Sequence, residues 1–260
     1  MNMGLEIDHL YSLVDDRERA AAAMRASGFA LTEAGMHAGR GTSNNLAVFA
    51  GPYWELLAVD APTPSNRHLR ALLESGPGLL GCALATTDIE ADRTRLRRRG
   101  IEVAEAQDVS RPVRIGDRDD VARFRVAQIE PPAGFAGTFF FCEHLTPELV
   151  WPSPLPVHPN GAVGIDGLTV VSSEPRAAAE RLARLFDSAI DRSDGWTVKA
   201  GALALRCLDP ARLARFHPEA PRRFGSADRF AGIALRAPGV PAGSAQDPSL
   251  GDTIATWGAR

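Results

Sequence analysis

Residues 5–13, Leu-Glu-Ile-Asp-His-Leu-Tyr-Ser-Leu, alternate closely enough between apolar and polar positions to predict a half-buried strand. Asp15-Asp16 then offers a helix N-cap to an Ala/Arg-rich stretch that Gly28 stops. Short apolar runs at Phe29–Leu31, Asn45–Ala50 and Tyr53–Val59 predict further strands, with Gly51-Pro52 turning the last two into a hairpin. The predicted order is β-α-β-β-β.

The order recurs. Gly81–Thr86 reads as a strand, Asp88 caps a helix, and Gly100 closes it before Ile101–Val103. Asp16 to Asp88 and Gly28 to Gly100 are both steps of 72 residues, so the two helices have one length. Strands follow at Ala122–Ile129 and Gly137–Leu145, with the acidic run Ile115–Asp120 as a charged turn. A third start lies at Gly164–Val171, where Ile165-Asp166-x-Leu168 repeats Ile7-Asp8-x-Leu10, with a helix after Glu174 and strands at Trp196–Ala200 and Ala202–Leu208. A fourth start, Phe230–Leu235, precedes a Pro/Gly-rich tail that reads as irregular and too short for a whole module. Ala61–Asn66 leads into a short helix, His68–Glu74, and the proline-rich segment Trp151–Gly161 reads as the main boundary. The expectation is an α+β protein of repeated βαβββ modules, with paired modules over 1–150 forming a curved mixed-sheet cup. A degenerate third and fourth module occupies 162–260.

Composition narrows the function classes. The chain has 260 residues, 45% hydrophobic and 23% charged, which is ordinary for a globular protein with ample core. Its charge of −3 and dispersed basic residues argue against a nucleic-acid partner. Only Lys199 among the 29 basic residues is a lysine, and the Arg/Ala richness suggests a GC-rich bacterial source. No apolar run reaches the roughly 18 residues of a membrane span, and the first residues lack a signal-peptide pattern. Cys82, Cys142 and Cys207 are odd in number, far apart and embedded in apolar stretches, so they read as core residues of a reduced, cytoplasmic protein.

Two polar residues stand out against the strand pattern. His9 lies in the middle of the first strand, and Glu55 interrupts Tyr53-Trp54-Glu55-Leu56-Leu57, where an unpaired buried carboxylate would be costly. Either Glu55 faces water or it has a partner inside the cup. A His and a Glu on neighbouring strands suit a divalent metal. The alternative is a hydrogen-bonded core histidine beside a solvated carboxylate. His37, His68, His158 and His217 lie near Gly, Asn or Pro and read as surface loop residues. Gly39-Arg40-Gly41-Thr42-Ser43-Asn44 lacks the strand-then-helix setting of a phosphate loop and reads as a strand connection from which Arg40 or Asn44 reaches the substrate. Arg123 and Arg125 share one strand face; they read as solvated partners of acidic residues, and on the cup face they would imply an anionic substrate.

Ile7-Asp8-His9-Leu10, Gly39-Arg40-Gly41-Thr42-x-Asn44, Tyr53-Trp54-Glu55-Leu56 and Phe140-Phe141-Cys142-Glu143-His144-Leu145-Thr146-Pro147-Glu148-Leu149-Val150-Trp151 together resemble the glyoxalase-like branch of the vicinal oxygen chelate superfamily. The resemblance covers residues 5–151; beyond 162 it rests on the module start alone. It implies a cup of two modules in which His and Glu side chains from the first and last strands hold a metal that chelates adjacent oxygens of a small substrate. Carried onto this chain, it implies His9, Glu55 and Glu143 as metal ligands and Glu143 as the base. Tyr53 and Phe141 share strand parity with Glu55 and Glu143 and would line the pocket if those carboxylates do, beside Arg40 or Asn44; His144 competes with Glu143 for the inward position. The sequence departs from the four-ligand pattern: 72 residues on from His9 stands Gly81, and the third module has Gly167.

Three readings follow. The first is an enzyme of lyase, isomerase or dioxygenase type that depends on a divalent metal. The second is a metal-free small-molecule binding protein, a class that usually builds its groove at a dimer interface and so brings in a homodimer as an expectation. The third gives the C-terminal half a purely structural role.

Overall fold

The computed structural model describes residues 4–193, 195–216, 227–251 and 253–257. The first strand is β1 (Ile7–Val14), followed by α1 (Arg17–Ala26), β2 (Gly35–His37), β3 (Thr42–Ala47) and β4 (Tyr53–Val59). A short α2 (Arg67–Leu73) leads to the second copy: β5 (Gly78–Thr86), α3 (Ile89–Arg98), β6 (Gln107–Ile115), β7 (Arg118–Ile129) and β8 (Thr138–His144). These eight strands form one curved sheet in the order β2-β3-β4-β1-β5-β8-β7-β6. Two βαβββ modules therefore meet along the antiparallel β1/β5 seam.

The remainder repeats the plan. It contains β9 (Gly164–Val171), α4 (Pro175–Phe186), β10 (Ile190–Asp191), β11 (Trp196–Ala200), β12 (Leu203–Leu208), α5 (Pro210–Phe216), β13 (Arg229–Arg236), β14 (Gly243–Gln246) and β15 (Ile254–Trp257). The second sheet runs β10-β11-β12-β9-β13-β15-β14, the same order with one edge strand fewer. No described helix is long and apolar enough to cross a membrane.

The helices form where local chemistry dictates. Asp16 and Asp88 sit in extended backbone and accept the N–H of Arg19 and Ala91, each cap contributing about 1 kcal/mol. Both helices end before glycines in left-handed conformation, Gly28 (φ 80°) and Gly100 (φ 73°). The main core lies between the two sheets. Phe139 of β8 meets Phe186 of α4 and Phe230 of β13, and the backbone of Asp228 reinforces the join by donating to the Gly134 carbonyl and accepting from the Ala136 N–H.

Several expectations shift. The strand expected at Phe29–Leu31 is absent; the second strand is β2 at Gly35–His37, and β3 starts at Thr42 instead of Asn45. Its polar run Thr42-Ser43-Asn44-Asn45 is fully buried because partners await it: Arg17 donates to Ser43 and Asn45, and Asn44 reaches Glu55. Ile101–Val103 contributes one bridge residue, and the true second strand of that module is β6, whose Pro112 fits its edge position. The tail expected to be irregular supplies β14 and β15. His158, expected on the surface, is buried: it accepts from Ala30 N–H through Nδ1 and donates through Nε2 to the Val48 carbonyl, strapping the proline-rich segment to the first module.

Candidate functional site

The concave face of the first sheet encloses a cavity of about 130 Å³. On the scale where one water needs some 10–15 Å³, that is room for on the order of ten water-sized positions. Strand alternation decides what faces it. From β4, Tyr53, Glu55 and Leu57 line the cavity, whereas Trp54 and Leu56 enter the core. From β8, Phe140 and Cys142 line it, so Phe139 and Phe141 face the core and Glu143 points toward the helix side. Glu143 pairs there with Arg125 at 3.2 Å, and Arg125 also reaches Glu90 of α3 at 2.8 Å. Glu143 and Phe141 are thus not brought to the cup, and of Glu143 and His144 the inward residue is His144. Arg125 belongs to the outer face as well.

The pairing register explains the offset. Tyr11 lies opposite Gly81 and His9 opposite Ala83, a local two-fold relation that equates His9 with Gly81 and Tyr11 with Ala83. Glu55 is paired with Tyr11, and Phe140 with Ala83, so the second-module counterpart of Glu55 is Phe140, three residues before Glu143. At Gly81 a Cβ would stand 2.3 Å from the Thr138 carbonyl oxygen, so no side chain fits there on this backbone. Gly167 is closed in the same way by the Ala204 carbonyl, also at 2.3 Å.

His9 is the hub of a buried polar network. Between Ile7 and His9 the β1/β5 register slips, two residues against one, and this bulge turns Asp8 to the same side as His9. The Asp8 carboxylate accepts from His9 Nδ1 at 2.5 Å and from His144 Nε2 at 3.0 Å. Burial raises its pKa, and the His144 and His9 hydrogen bonds more than offset this, leaving it at about 2. An ionised Asp8 only accepts, so His9 carries its proton on Nδ1 and presents Nε2 to the cavity, 3.6 Å from Glu55 Oε2. Tyr53 stacks on the His9 ring at 4.4 Å between centroids and 13° between planes.

Glu55 is held from the other side. Asn44 Nδ2 donates to its Oε1 at 2.7 Å and lies 3.3 Å from His37 Nε2. The two amide protons serve both acceptors, so His37 donates through Nδ1 to Thr42 Oγ1 at 2.9 Å and is neutral. Burial lowers its pKa, with the Glu55 charge opposing. His37 was expected in a surface loop and instead lines the cavity; half-buried Arg40 and the exposed His68, in the first turn of α2, stand at its rim among the lining residues too. His217 lies outside the described residues.

Arg111 of β6 also lines the cavity. Sequence reasoning missed it, although Val109-x-Arg111-x-Val113 alternates in step with a cup-facing strand. The polar neighbours and Pro112 hid the signal.

Among the described residues one group could hold a metal ion: Asp8, His9, Cys142 and His144, whose donor atoms lie within 4.8 Å of one another. Two of the separations are hydrogen-bond lengths, with protons between Asp8 and each histidine. Burial also raises the Cys142 thiol well above its ordinary range, so it is a neutral thiol unless a cation intervenes. His9 Nε2 and Glu55 Oε2, by contrast, are spaced like neighbouring ligands of one ion, and the Asp8–His9 hydrogen bond is the usual support of a metal-binding imidazole. His9 and Glu55 are thus placed where two side chains could hold one ion; at the corresponding second-module positions stand Gly81 and Phe140.

Comparisons place this geometry in context. No curated protein matches the chain. A hypothetical protein from Staphylococcus aureus of known structure shares 16% identity over 98% of this chain and 99% of its own, with a TM-score of 0.74. A mutant 4-hydroxymandelate synthase from Streptomyces coelicolor shares 14% over 90% and 71%, with a TM-score of 0.56. Methylmalonyl-CoA epimerase from Mycobacterium tuberculosis aligns over 54% of this chain and 87% of its own, at 22% identity and a TM-score of 0.41. The family model of the glyoxalase-like domain matches residues 7–186, running through the first sheet into β9 and α4. The chain belongs to the glyoxalase-like domain family, within the vicinal oxygen chelate superfamily.

Proposed function

We propose that this protein is a divalent-metal-dependent enzyme of lyase or isomerase type, acting in the first cup on a compact substrate with two adjacent oxygens. The observation that supports it is the His9–Glu55 pair, 3.6 Å apart on the cavity wall, with the far nitrogen of His9 fixed by Asp8. His9 Nε2 and Glu55 would hold the ion, leaving its other positions to substrate. A bound divalent ion supplies Lewis acidity at such a site, stabilising negative charge as it develops on a substrate oxygen.

The chain's own residues divide the remaining work. Asp8 orients His9, holds its proton on Nδ1 and makes Nε2 a more basic donor. Asn44 fixes Oε1 of Glu55, so Oε2, the oxygen that would hold the ion, is also the one that on leaving it would take and return a proton at the carbon beside the substrate oxygens. Tyr53, Phe140 and Val126 supply apolar walls that exclude water and strengthen these electrostatic interactions.

A second reading, a metal-free binding protein, draws on Gly81 and Phe140 at the second-module positions and on the aromatic walls. One experiment separates the readings: elemental analysis of protein purified without a chelating tag, for wild type, E55A and C142S. Near-stoichiometric metal, lost in E55A and kept in C142S, is the expected result. Loss in C142S with retention in E55A would move the ion to the Asp8–Cys142–His144 cluster, and a metal-free wild type after reconstitution would favour the binding protein.

A further inference from the structure

Arg111 has an unusual environment. Its residue is only 5% exposed, none of the described residues accepts a hydrogen bond from its guanidinium, and the little surface it keeps opens onto the cavity. A buried cation without a hydrogen-bonding partner is costly, and natural chains retain one chiefly where a ligand supplies the missing charge. The side chain borders the cavity, and the space it needs is cleared for it: a Cβ on Gly35 would stand 2.8 Å from its Nη1 and 2.6 Å from Asn44 Oδ1. Asn44 Oδ1 is itself buried and unpartnered. The hydroxyls of Tyr11 and Tyr53, both on the cavity wall, likewise make no hydrogen bond with described residues. The cup therefore holds an unanswered guanidinium and two unanswered hydroxyl donors.

We propose that the cup selects a small organic monoanion, a carboxylate, and that Arg111 is the residue that binds its charge. This rests on the proposed enzymatic reading for the location of the substrate and deepens it by naming the substrate class. A carboxylate presents two coplanar oxygens that match the fork of a guanidinium. The opposing Glu55 carboxylate within the same cavity disfavours a dianion such as a phosphate ester. Arg40 adds a second positive charge to the lining, so the two arginines against Glu55 leave an excess of one positive charge to draw an anion in. Burial depresses the pKa of Arg111, with Tyr53 and Glu55 opposing; at neutral pH a guanidinium keeps its proton regardless.

The test is calorimetric titration with pyruvate and lactate, their primary amides as neutral counterparts, and inorganic phosphate. Each is titrated into metal-loaded and EDTA-treated full-length protein. The expected result is that the acids bind at least about tenfold tighter than the amides and than phosphate, and that R111Q removes the difference while R111K keeps part of it. R111M, which removes the unpaired buried charge, is expected to melt above wild type when no anion is present, a shift that a purely structural arginine would reverse. Equal binding of acids and amides, preference for phosphate, no binding of either class, or acid binding by R111Q at wild-type strength would each overturn the proposal. Preference for the acids in a protein that holds no metal would leave this inference standing while the metal reading fell. Metal binding without that preference would do the opposite.

Discussion

His9 Nδ1 lies 2.5 Å from the carboxylate of Asp8, its immediate neighbour in the chain. Consecutive strand residues ordinarily face opposite sides of a sheet, and here the bulge in β1 removes that opposition. The carboxylate, itself supported by His144, fixes the imidazole so that its other nitrogen faces Glu55. The site's hub is thus produced by one extra residue in one strand.

Replacing Asp8 by Asn tests that arrangement. An amide cannot accept from both histidines with the strength of a carboxylate, so D8N is expected to weaken metal affinity about 10- to 100-fold. It should also lower stability by about 1–3 kcal/mol. Metal titration and denaturant unfolding read the two effects separately.

Glu143 faces Arg125 and α3, away from the cavity. E143Q is therefore expected to keep the wild-type metal content and ligand affinity, with stability lowered by about 1 kcal/mol, as for a partly buried ion pair. Loss of metal in E143Q would contradict the inward face assigned here to Phe140 and Cys142.

Restoring a histidine at the vacant second-module position is expected to fail. The Gly81 Cβ would meet the Thr138 carbonyl at 2.3 Å, so even G81A should cost about 1–3 kcal/mol by overpacking, and G81H should not gain metal affinity. A well-folded G81H with tighter metal binding would show that β5 and β8 can separate.

His37 gives the protein a pH-dependent stability. Its folded pKa is depressed by burial below the ordinary 6.5, so the unfolded chain binds this proton first as the pH falls. Its contribution is fully present above about pH 6.5 and is lost as the pH drops from there through the folded pKa. The melting temperature should therefore decline on acidification from pH 7, and H37N should flatten that part of the profile. An unchanged slope in H37N would assign the decline to other groups.

Much of this protein is legible in its sequence because the information is local. The apolar alternation of β4 and β9, the caps at Asp16 and Asp88 and the stops at Gly28 and Gly100 all act within a turn or a strand. The 72-residue spacing of those signals identifies the module and its repetition. His9 and Glu55 stand out because a polar residue inside an apolar strand needs a partner whatever the fold. The sequence could not determine which face of β8 turns inward. Side chains alternate with a period of two, so the choice between Glu143 and His144 depends on a register set by β5, and a slip of one residue reverses every assignment. Asp8 entered the site through a bulge formed only when β1 meets β5. Arg111 entered through an edge strand whose polar composition becomes strand-like only when β7 pairs with it. β14 and β15 form for the same reason, because β13 offers an edge to the tail. Local chemistry set the elements and the repeat; pairing between distant strands decided which residues share the cavity.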